Sequence, residues 1–495
     1  MAAGVPLVVT LDNILGVSSK ILMLCNFIDN MIPSTLKYQP KVESAPARRY
    51  RTNIQPQNGT GPYSASNTII LNIPTRNNTA LIASESVLKF SLSATIGATA
   101  AAVCALESCG AHAFINRLRV FHGSNLLQDI QEYHQLAKIL YDYQMPLDAT
   151  QGRFSATSGT ANDYTGTVAS ATPANLVANG LVVKPVNRGK NFIPQADSAT
   201  PTLAGGAAIA DNYSINLISL VGALAGNKYL PLWEMTSAPL RVELVLQPSI
   251  VNAMCIAPAG AVPTNGAFTL SNVEFIGEFL EMPDSAIAAI RAGSSSPLQM
   301  VVPDWRAYTF SQQLGTSTTT VSMPIPAKFS SLKSLVVNSR ITTGQATYYP
   351  CGSQNFNLAS YQFRVGSEVL PSTAPSTTSD FFNEACKCFG SLADVGYQPS
   401  IDVGAFIVPY DQSAIDTYIE GVTSNSGSFL VGIDLESYMG ADKSSVFAGM
   451  NTNTSDIFFQ PVHAGLLAGT QCYYTAFANF DTVLVAENGV AYVRY

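Results

Sequence analysis

Apolar and polar residues alternate in short runs along most of the chain. The runs are rich in Val, Ile, Thr, Phe and Tyr, and clusters of Gly, Pro, Asn and Ser separate them. Alternation with a period of two places successive side chains on opposite faces of a strand, and turn-forming clusters end such strands. Few segments have helical spacing. The pattern therefore predicts an all-β protein.

Three blocks of this pattern occur twice, in the same order, so that Pro74 and Pro326 hold equivalent places. The repeated blocks are Thr68–Pro74 and Val87–Leu92 with Thr320–Pro326 and Leu332–Val337; Arg117–Gly123 with Tyr361–Gly366; and Leu217–Gly222, Leu240–Leu246 and Val273–Gly277 with Gly432–Leu435, Asp456–Phe459 and Phe480–Val485. A unit that recurs in this way indicates a tandem duplication.

Each copy holds roughly eight short strands, enough for two packed sheets, and a jelly roll is the economical arrangement of eight strands. The sequence therefore predicts two tandem eight-stranded jelly-roll β-sandwiches with short helices in the loops. The expected domains are an arm at residues 1–64, a first jelly roll at 65–285, a linker at 286–302 and a second jelly roll at 303–495.

The second block of each copy leads into a predicted helix. The first helix is expected near residues 129–143, and the second near residues 380–389 with Ser379 as N-cap and Gly390 as stop. A shorter helix is expected at residues 284–291. The apolar face of the first helix comprises Ile130, Tyr133, Ala137 and Leu140.

Residues 148–212 form the largest departure from the strand pattern. They are rich in Ala, Ser, Thr, Gly and Asn and poor in large apolar residues. A loop of this length inside a compact domain is usually functional or disordered. The sequence predicts a long insertion in the first jelly roll.

Charged residues make up only 12% of the chain, and 33 acidic residues against 26 basic ones give a net charge of −7. Charged residues are depleted at the core of protein interfaces, so this composition suits a surface covered by other copies. The acidic balance disfavours binding to nucleic acid. The basic cluster Arg48, Arg49 and Arg51 is compatible with a solvated turn before the first domain or with an arm that touches nucleic acid.

No catalytic, cofactor-binding or metal-binding residues are predicted. The eight cysteines contain no CxxC pair, and Cys386 and Cys388 stand two apart on a helix, where side chains point in different directions. The four histidines form no known catalytic motif, although His122 and His134 could meet in space. Neither a cleavable signal nor a bilayer-spanning segment is expected.

Four segments carry a resemblance to a known family. They are Phe114–Ser124 with the following helix, Lys228–Leu232, Gly449–Asp456 and Phe480–Gly489. In this order they resemble the double jelly-roll major capsid proteins of polinton-like viruses and virophages, a lineage shared with the nucleocytoplasmic large DNA viruses. The resemblance covers most of residues 65–495, and it brings no catalytic residue with it.

The resemblance implies a structural, non-enzymatic protein of an icosahedral DNA virus shell. It implies a homotrimer whose six similar jelly rolls form a pseudo-hexameric capsomer, with strands upright on the shell and long loops, such as 148–212, facing outward. Its implied partners are neighbouring capsid trimers, penton proteins and minor or cement proteins. The protein would lie in the virion and assemble inside the infected host cell.

The N-terminal segment carries an apolar stripe at spacings of three and four, typical of one helical face. The stripe comprises Leu7, Leu11, Ile14, Val17, Ile21, Leu24 and Ile28. One interpretation is an arm packed beneath a capsomer on the inner face of the shell. The other is an interfacial helix resting on an internal membrane, and the arm is also the expected point of any contact with the genome.

A second function is considered from a different class, a secreted carbohydrate-binding or glycosidase-like β-sandwich. Glycosidases need two carboxylates roughly 5 to 9 Å apart. The candidates are Glu274, Glu278 and Glu281, and the first two stand four residues apart on a predicted strand, a separation of about 13 Å. The spacing favours outward positions on a strand whose inward positions include Val273, Phe275 and Phe279.

Overall fold

The alternating runs form β-strands in the computed structural model, with their apolar positions turned inward. The structure describes residues 47–96, 103–106, 109–159, 208–225, 228–257, 266–293, 297–341, 351–353, 355–390, 392, 396–401, 406, 428–437, 448–464 and 470–495. In the strand Leu240–Leu246, every second residue is buried and the residues between are partly exposed. Burying each such Leu or Val side chain stabilises the fold by roughly 1.5–3 kcal/mol.

The first half of the chain folds into two main antiparallel sheets. Its strands are β1 (Arg48–Ile54), β2 (Tyr63–Ser64), β3 (Thr68–Ile73), β4 (Thr79–Leu81), β5 (Val87–Ile96), β6 (Val103–Leu106), β7 (Ile115–His122), β8 (Asn125–Gln131), β9 (Ala208–Ile215), β10 (Leu240–Leu246), β11 (Met254–Ala257) and β12 (Gly266–Glu281). One sheet has the order β1-β12-β5-β9, with β2 and β4 also paired to β12, and the other has the order β3-β10-β7-β8.

The second half repeats this arrangement. Its strands are β13 (Leu298–Leu314), β14 (Thr319–Thr320), β15 (Met323–Ile325), β16 (Leu332–Ile341), β17 (Leu358–Val365), β18 (Glu368–Leu370), β19 (Val431–Asp434), β20 (Ile457–His463), β21 (Thr470–Glu487) and β22 (Val490–Arg494). One sheet has the order β13-β21-β16-β19, with β22 also on β21, and the other has the order β14-β20-β17-β18, with β15 also on β20.

The two sets of sheets correspond strand by strand. β1, β12, β5 and β9 match β13, β21, β16 and β19, while β3, β10, β7 and β8 match β14, β20, β17 and β18. Strands that are distant in sequence pair within each sheet, as in an eight-stranded jelly roll. The predicted fold, two tandem jelly-roll sandwiches, is confirmed.

Five α-helices lie in the described parts of the connections. They are α1 (Tyr133–Gln144), α2 (Leu147–Gln151), α3 (Arg153–Thr157), α4 (Asp284–Gly293) and α5 (Thr378–Lys387). The predicted start of the first helix at residue 129 is wrong, because Asp129 and Ile130 pair with β7 as part of β8. The predicted N-cap of the second is also wrong: the Thr377 hydroxyl, not Ser379, accepts the hydrogen bond from the Asp380 amide.

Residues 217–222, predicted as a strand, form turns instead. The Ser219 and Gly222 amides donate to the carbonyls of Leu217 and Ser219. Side chains take the place of a neighbouring strand as hydrogen-bond partners of this segment. For example, the Ile218 amide donates to the Tyr133 hydroxyl. The apolar composition of this segment reflects its burial in the core. The strand that matches β19 is β9.

Three of the described strands and helices overlap the predicted domain boundaries. β1 is part of the first sandwich, although residues 1–64 were expected to form an arm. α4 occupies the predicted linker, and β13 begins at Leu298, before the predicted boundary at residue 303. The apolar stripe of residues 7–28 and most of the predicted insertion, residues 160–207, lie outside the described residues.

Candidate functional site

Helix α1 lies at the junction between the two sandwiches, and every residue from Tyr133 to Tyr143 is buried. Its apolar residues, such as Leu136 and Leu140, belong to the hydrophobic core. Its polar residues face the second sandwich. The Gln135 side-chain carbonyl accepts a hydrogen bond from Asn338 Nδ2 of β16 at 3.1 Å, so the helix joins the two halves of the chain.

A buried ion pair forms the centre of this contact. Lys138 Nζ lies 2.8 Å from Asp142 Oδ2, and the two side chains are 4% and 1% exposed. Ser428, from the second sandwich, donates its hydroxyl to the same Asp142 oxygen at 2.8 Å. The Tyr143 hydroxyl donates to the Ser428 carbonyl at 2.8 Å. These contacts compensate the cost of burying both charges.

A second polar contact joins β8 to β13. Gln128 Nε2 donates to Asp304 Oδ1 at 2.7 Å, and Gln128 Oε1 accepts from the Leu220 amide at 2.7 Å. The Trp305 amide also donates to Asp304 Oδ1. Burial raises the pKa of Asp304 to about 7, although these hydrogen bonds and Arg306 oppose the shift. Both side chains are fully buried at the junction.

The C-terminal strand β22 completes the junction. The Ala491 amide donates to His122 Nδ1 at 3.1 Å, which leaves His122 Nε2 to donate to the Met235 carbonyl. Asn125 Nδ2 donates to the Ala491 carbonyl at 3.0 Å. An aromatic stack between Tyr143 and Phe389, 5.3 Å between ring centroids, adds an apolar contact. The junction thus uses α1, β7 and β8 of the first sandwich.

The remaining histidines have structural partners. His112 lies between the hydroxyls of Tyr133 and Tyr141, and burial lowers its pKa to about 3. His463 Nε2 accepts from the Tyr474 hydroxyl, and His134 lies beside Glu132. His122 and His134 contact different residues, so the structure shows no shared site for them. Within the described residues, no group of side chains could hold a metal ion.

Five cysteines that the structure describes are buried free thiols: Cys109, Cys351, Cys386, Cys388 and Cys472. Burial raises the pKa of Cys386 to about 11 and that of Cys388 well above its usual value, which disfavours the thiolate that metals and nucleophilic chemistry require. Among the helices of the described residues, none has the length and apolarity to cross a bilayer.

The carboxylates considered for glycosidase chemistry support strand pairing instead. Glu274 accepts a hydrogen bond from Asn53, and Glu278 one from Arg49. The inward positions Val273, Phe275 and Phe279 are buried as predicted. Arg48, Arg49 and Arg51 lie on β1, not on a turn before the domain, and Arg49 also pairs with Glu85.

Several solved viral structures share this fold over nearly the whole chain. A chain of the Sputnik virophage, 12% identical, has a TM-score of 0.58 and covers 94% of this chain and 91% of its own. The major capsid protein of mavirus, 13% identical, has a TM-score of 0.57 and coverage of 94% and 93%. The Faustovirus major capsid protein, 9% identical, has a TM-score of 0.54 and covers 91% of this chain and 92% of its own.

The protein has the double jelly-roll fold. No family model matches this double jelly roll, and no curated protein matches it. The predicted resemblance to capsid proteins of virophages and large DNA viruses is confirmed at the level of fold.

The residues that join the two sandwiches are not evident from the sequence pattern. Gln135, Lys138 and Asp142 recur at spacings of three and four on α1, as a polar stripe beside the apolar one. This polar stripe was the only sign in the sequence that the helix contacts a second polar surface. A helix with one buried and one solvated side has the same pattern, so only the structure shows what the stripe contacts.

Proposed function

We propose that this double jelly roll is the structural major capsid protein of an icosahedral DNA virus and has no catalytic activity. The observation that carries the proposal is the match of two equivalent sandwiches, over more than nine tenths of the chain, to solved capsid proteins. In this proposal the protein is located in the virion. Its partners are other copies, penton proteins and minor or cement proteins.

The tandem duplication supports a trimeric capsomer. Three chains offer six similar sandwiches, so a threefold ring presents six near-equivalent edges to its neighbours. Charged residues at only 12% of the chain favour a surface that is covered on assembly. The junction around α1 supports this view, because its polar side chains are buried and paired where the second sandwich covers them.

The purified protein should therefore be a trimer in solution. Each chain should bury more than the roughly 1,600 Å² of an ordinary interface, since most of a sandwich flank faces its neighbour. Multi-angle light scattering measures the mass directly, and we expect three chains per particle. A stable monomer at micromolar concentration would contradict the capsomer.

We propose that residues 1–46 lie on the inner side of the shell and residues 160–207 on the outer side. The amphipathic stripe of the first segment needs a partner to bury its apolar face. That partner is a neighbouring capsomer or an internal membrane, and the segment is also the proposed point of any contact with the genome. A long polar insertion is tolerated best where it does not interrupt shell contacts.

Limited proteolysis of intact particles checks both locations. We expect cleavage within residues 160–207 before any cleavage within residues 1–46, because the shell shields its inner side. Dissociated trimers provide the control, and there both segments should be cut. Early cleavage of residues 1–46 in intact particles, with the other segment spared, would reverse the assignment.

A further inference from the structure

Three ionisable side chains meet in the second sandwich where β16 begins and β19 ends. Lys333 lies on β16, Asp481 lies on β21, and Glu436 follows two residues after the end of β19. The pairing of β16 with β21 shifts its register between Leu332 and Ser334, so Lys333 is the extra residue of a bulge. A bulge changes the direction of a side chain. Here the lysine lies beside carboxylates from both flanks of β16.

The amino group of Lys333 is within reach of both carboxylates. Its Nζ lies 3.1 Å from Glu436 Oε1 and 3.7 Å from Asp481 Oδ1. The side chains of Lys333, Glu436 and Asp481 are 10%, 14% and 6% exposed, so water competes little for these contacts. The Ser331 hydroxyl donates to the other Asp481 oxygen at 2.9 Å, which fixes the position of the carboxyl group.

Two carboxylates beside one ammonium group would give this buried site a net negative charge. Burial raises the pKa of Asp481 and the charge of Glu436 also raises it, while Lys333 and Ser331 oppose the shift. The shift favours a neutral Asp481 carboxyl beside an ion pair of Lys333 and Glu436. A structural ion pair needs only one carboxylate. A protonated carboxyl, an amine and a carboxylate base are the groups that amide formation requires.

We propose that Lys333 and Asp481 form an intramolecular isopeptide bond without an enzyme or a cofactor, and that Glu436 carries the protons. The proposed bond does not depend on the capsid function. It joins β16 to β21 covalently and closes a loop from residue 333 to residue 481. A closed loop lowers the conformational entropy of the unfolded chain, and so stabilises the second sandwich against unfolding.

The reaction balances without an oxidant or a further reactant. Glu436 takes a proton from the Lys333 ammonium, and the neutral amine attacks Cγ of the protonated Asp481 carboxyl. A bond forms between Nζ and Cγ, and the bond between Cγ and the hydroxyl oxygen breaks. Glu436 gives its proton to this hydroxyl, which leaves as water, and it takes the second proton from the nitrogen and releases it to solvent. Groups held in contact react as if their concentration were on the order of 10⁵ M or more.

The intact mass of the full-length protein tests whether the bond forms. We expect the wild-type mass to be lower than that of the sequence by one water molecule. Lys333→Arg is the comparison, because its guanidinium keeps a cation beside both carboxylates but stays protonated and cannot attack the carboxyl. The mass of this variant should show no loss of water.

A tryptic map locates the bond. Residues 329–340 and 444–494 should appear as one branched peptide, because trypsin no longer cleaves after the modified Lys333. The pair of Lys328 and Asp456 is an internal control, since its atoms are only 2.7 Å apart but both side chains are exposed. The hydrogen bond from Lys328 lowers the pKa of Asp456, so this carboxyl stays ionised and trypsin should still cleave after Lys328.

Glu436→Gln removes the proton carrier and keeps the amine and the carboxyl. We expect bond formation to be slower by on the order of a hundredfold, measured as the branched fraction of freshly purified protein. Equal branching in the wild type and in Glu436→Gln would overturn the role of Glu436. A wild type of full mass would overturn the bond itself. A loss of water without the branched peptide, as from a cyclised Asp481, would also overturn it.

Discussion

Replacing Lys138 by methionine should lower the free energy of unfolding by about 3–5 kcal/mol, because it leaves the Asp142 carboxylate buried without its cation. The two side chains are 4% and 1% exposed, so solvent screens little of the interaction. Ser428 alone then compensates the charge from across the junction. Urea denaturation of the purified protein measures the loss.

An exposed ion pair of similar length provides the matched control. Lys328 Nζ lies 2.7 Å from Asp456 Oδ1, but these side chains are 42% and 77% exposed. Lys328→Met should therefore have little effect on the free energy of unfolding, because solvent screens the exposed pair. The double variant Lys138→Met with Asp142→Leu should recover most of the loss, since it removes the unpaired charge. Equal effects of Lys138→Met and Lys328→Met would refute the buried junction.

Asp304→Asn should remove a pH dependence of stability that the wild-type protein shows between about pH 4 and pH 7. Burial raises the pKa of this carboxyl from 3.8 to about 7 in the folded protein. A folded-state pKa above the unfolded value means that the folded protein binds the proton more tightly. The stabilisation is therefore complete below about pH 4 and is lost as the pH rises through about 7.

The size of the effect follows from the shift of about three pH units, which corresponds to roughly 4 kcal/mol. The amide oxygen that Asp304→Asn introduces can still accept the hydrogen bonds from Gln128 and Trp305, so the two proteins should be similarly stable at pH 4. At pH 8 the variant should be the more stable. Urea denaturation of both proteins across this pH range gives the difference in their free energies of unfolding. The contributions of the buried histidines are the same in both proteins and cancel in this difference. A difference that is constant with pH would contradict the prediction.

The duplication could be predicted from the sequence because each strand follows from a local alternation of residues. Comparing the two halves of the chain then shows that the alternating blocks recur. Blocks such as Leu240–Leu246 required only a period of two and bounding turns. The strand predicted at residues 217–222 failed for a physical reason. Its apolar residues are buried in turns whose amides are satisfied by side chains such as Tyr133 and Gln128, and no local pattern distinguishes such a segment from a buried strand.

The junction could not be predicted from the sequence because the residues that contact each other there are far apart along the chain. Gln128 and Asp304 are 176 residues apart, and Lys138 and Ser428 are 290 apart. A polar residue that is destined for burial looks like a solvated one until its partner is known.

Electron microscopy of the purified full-length protein tests the central claim most directly. The account predicts class averages of a single tile with threefold symmetry and six similar lobes, one for each sandwich. Two lobes per particle, from one chain, or a ring without threefold symmetry would contradict it.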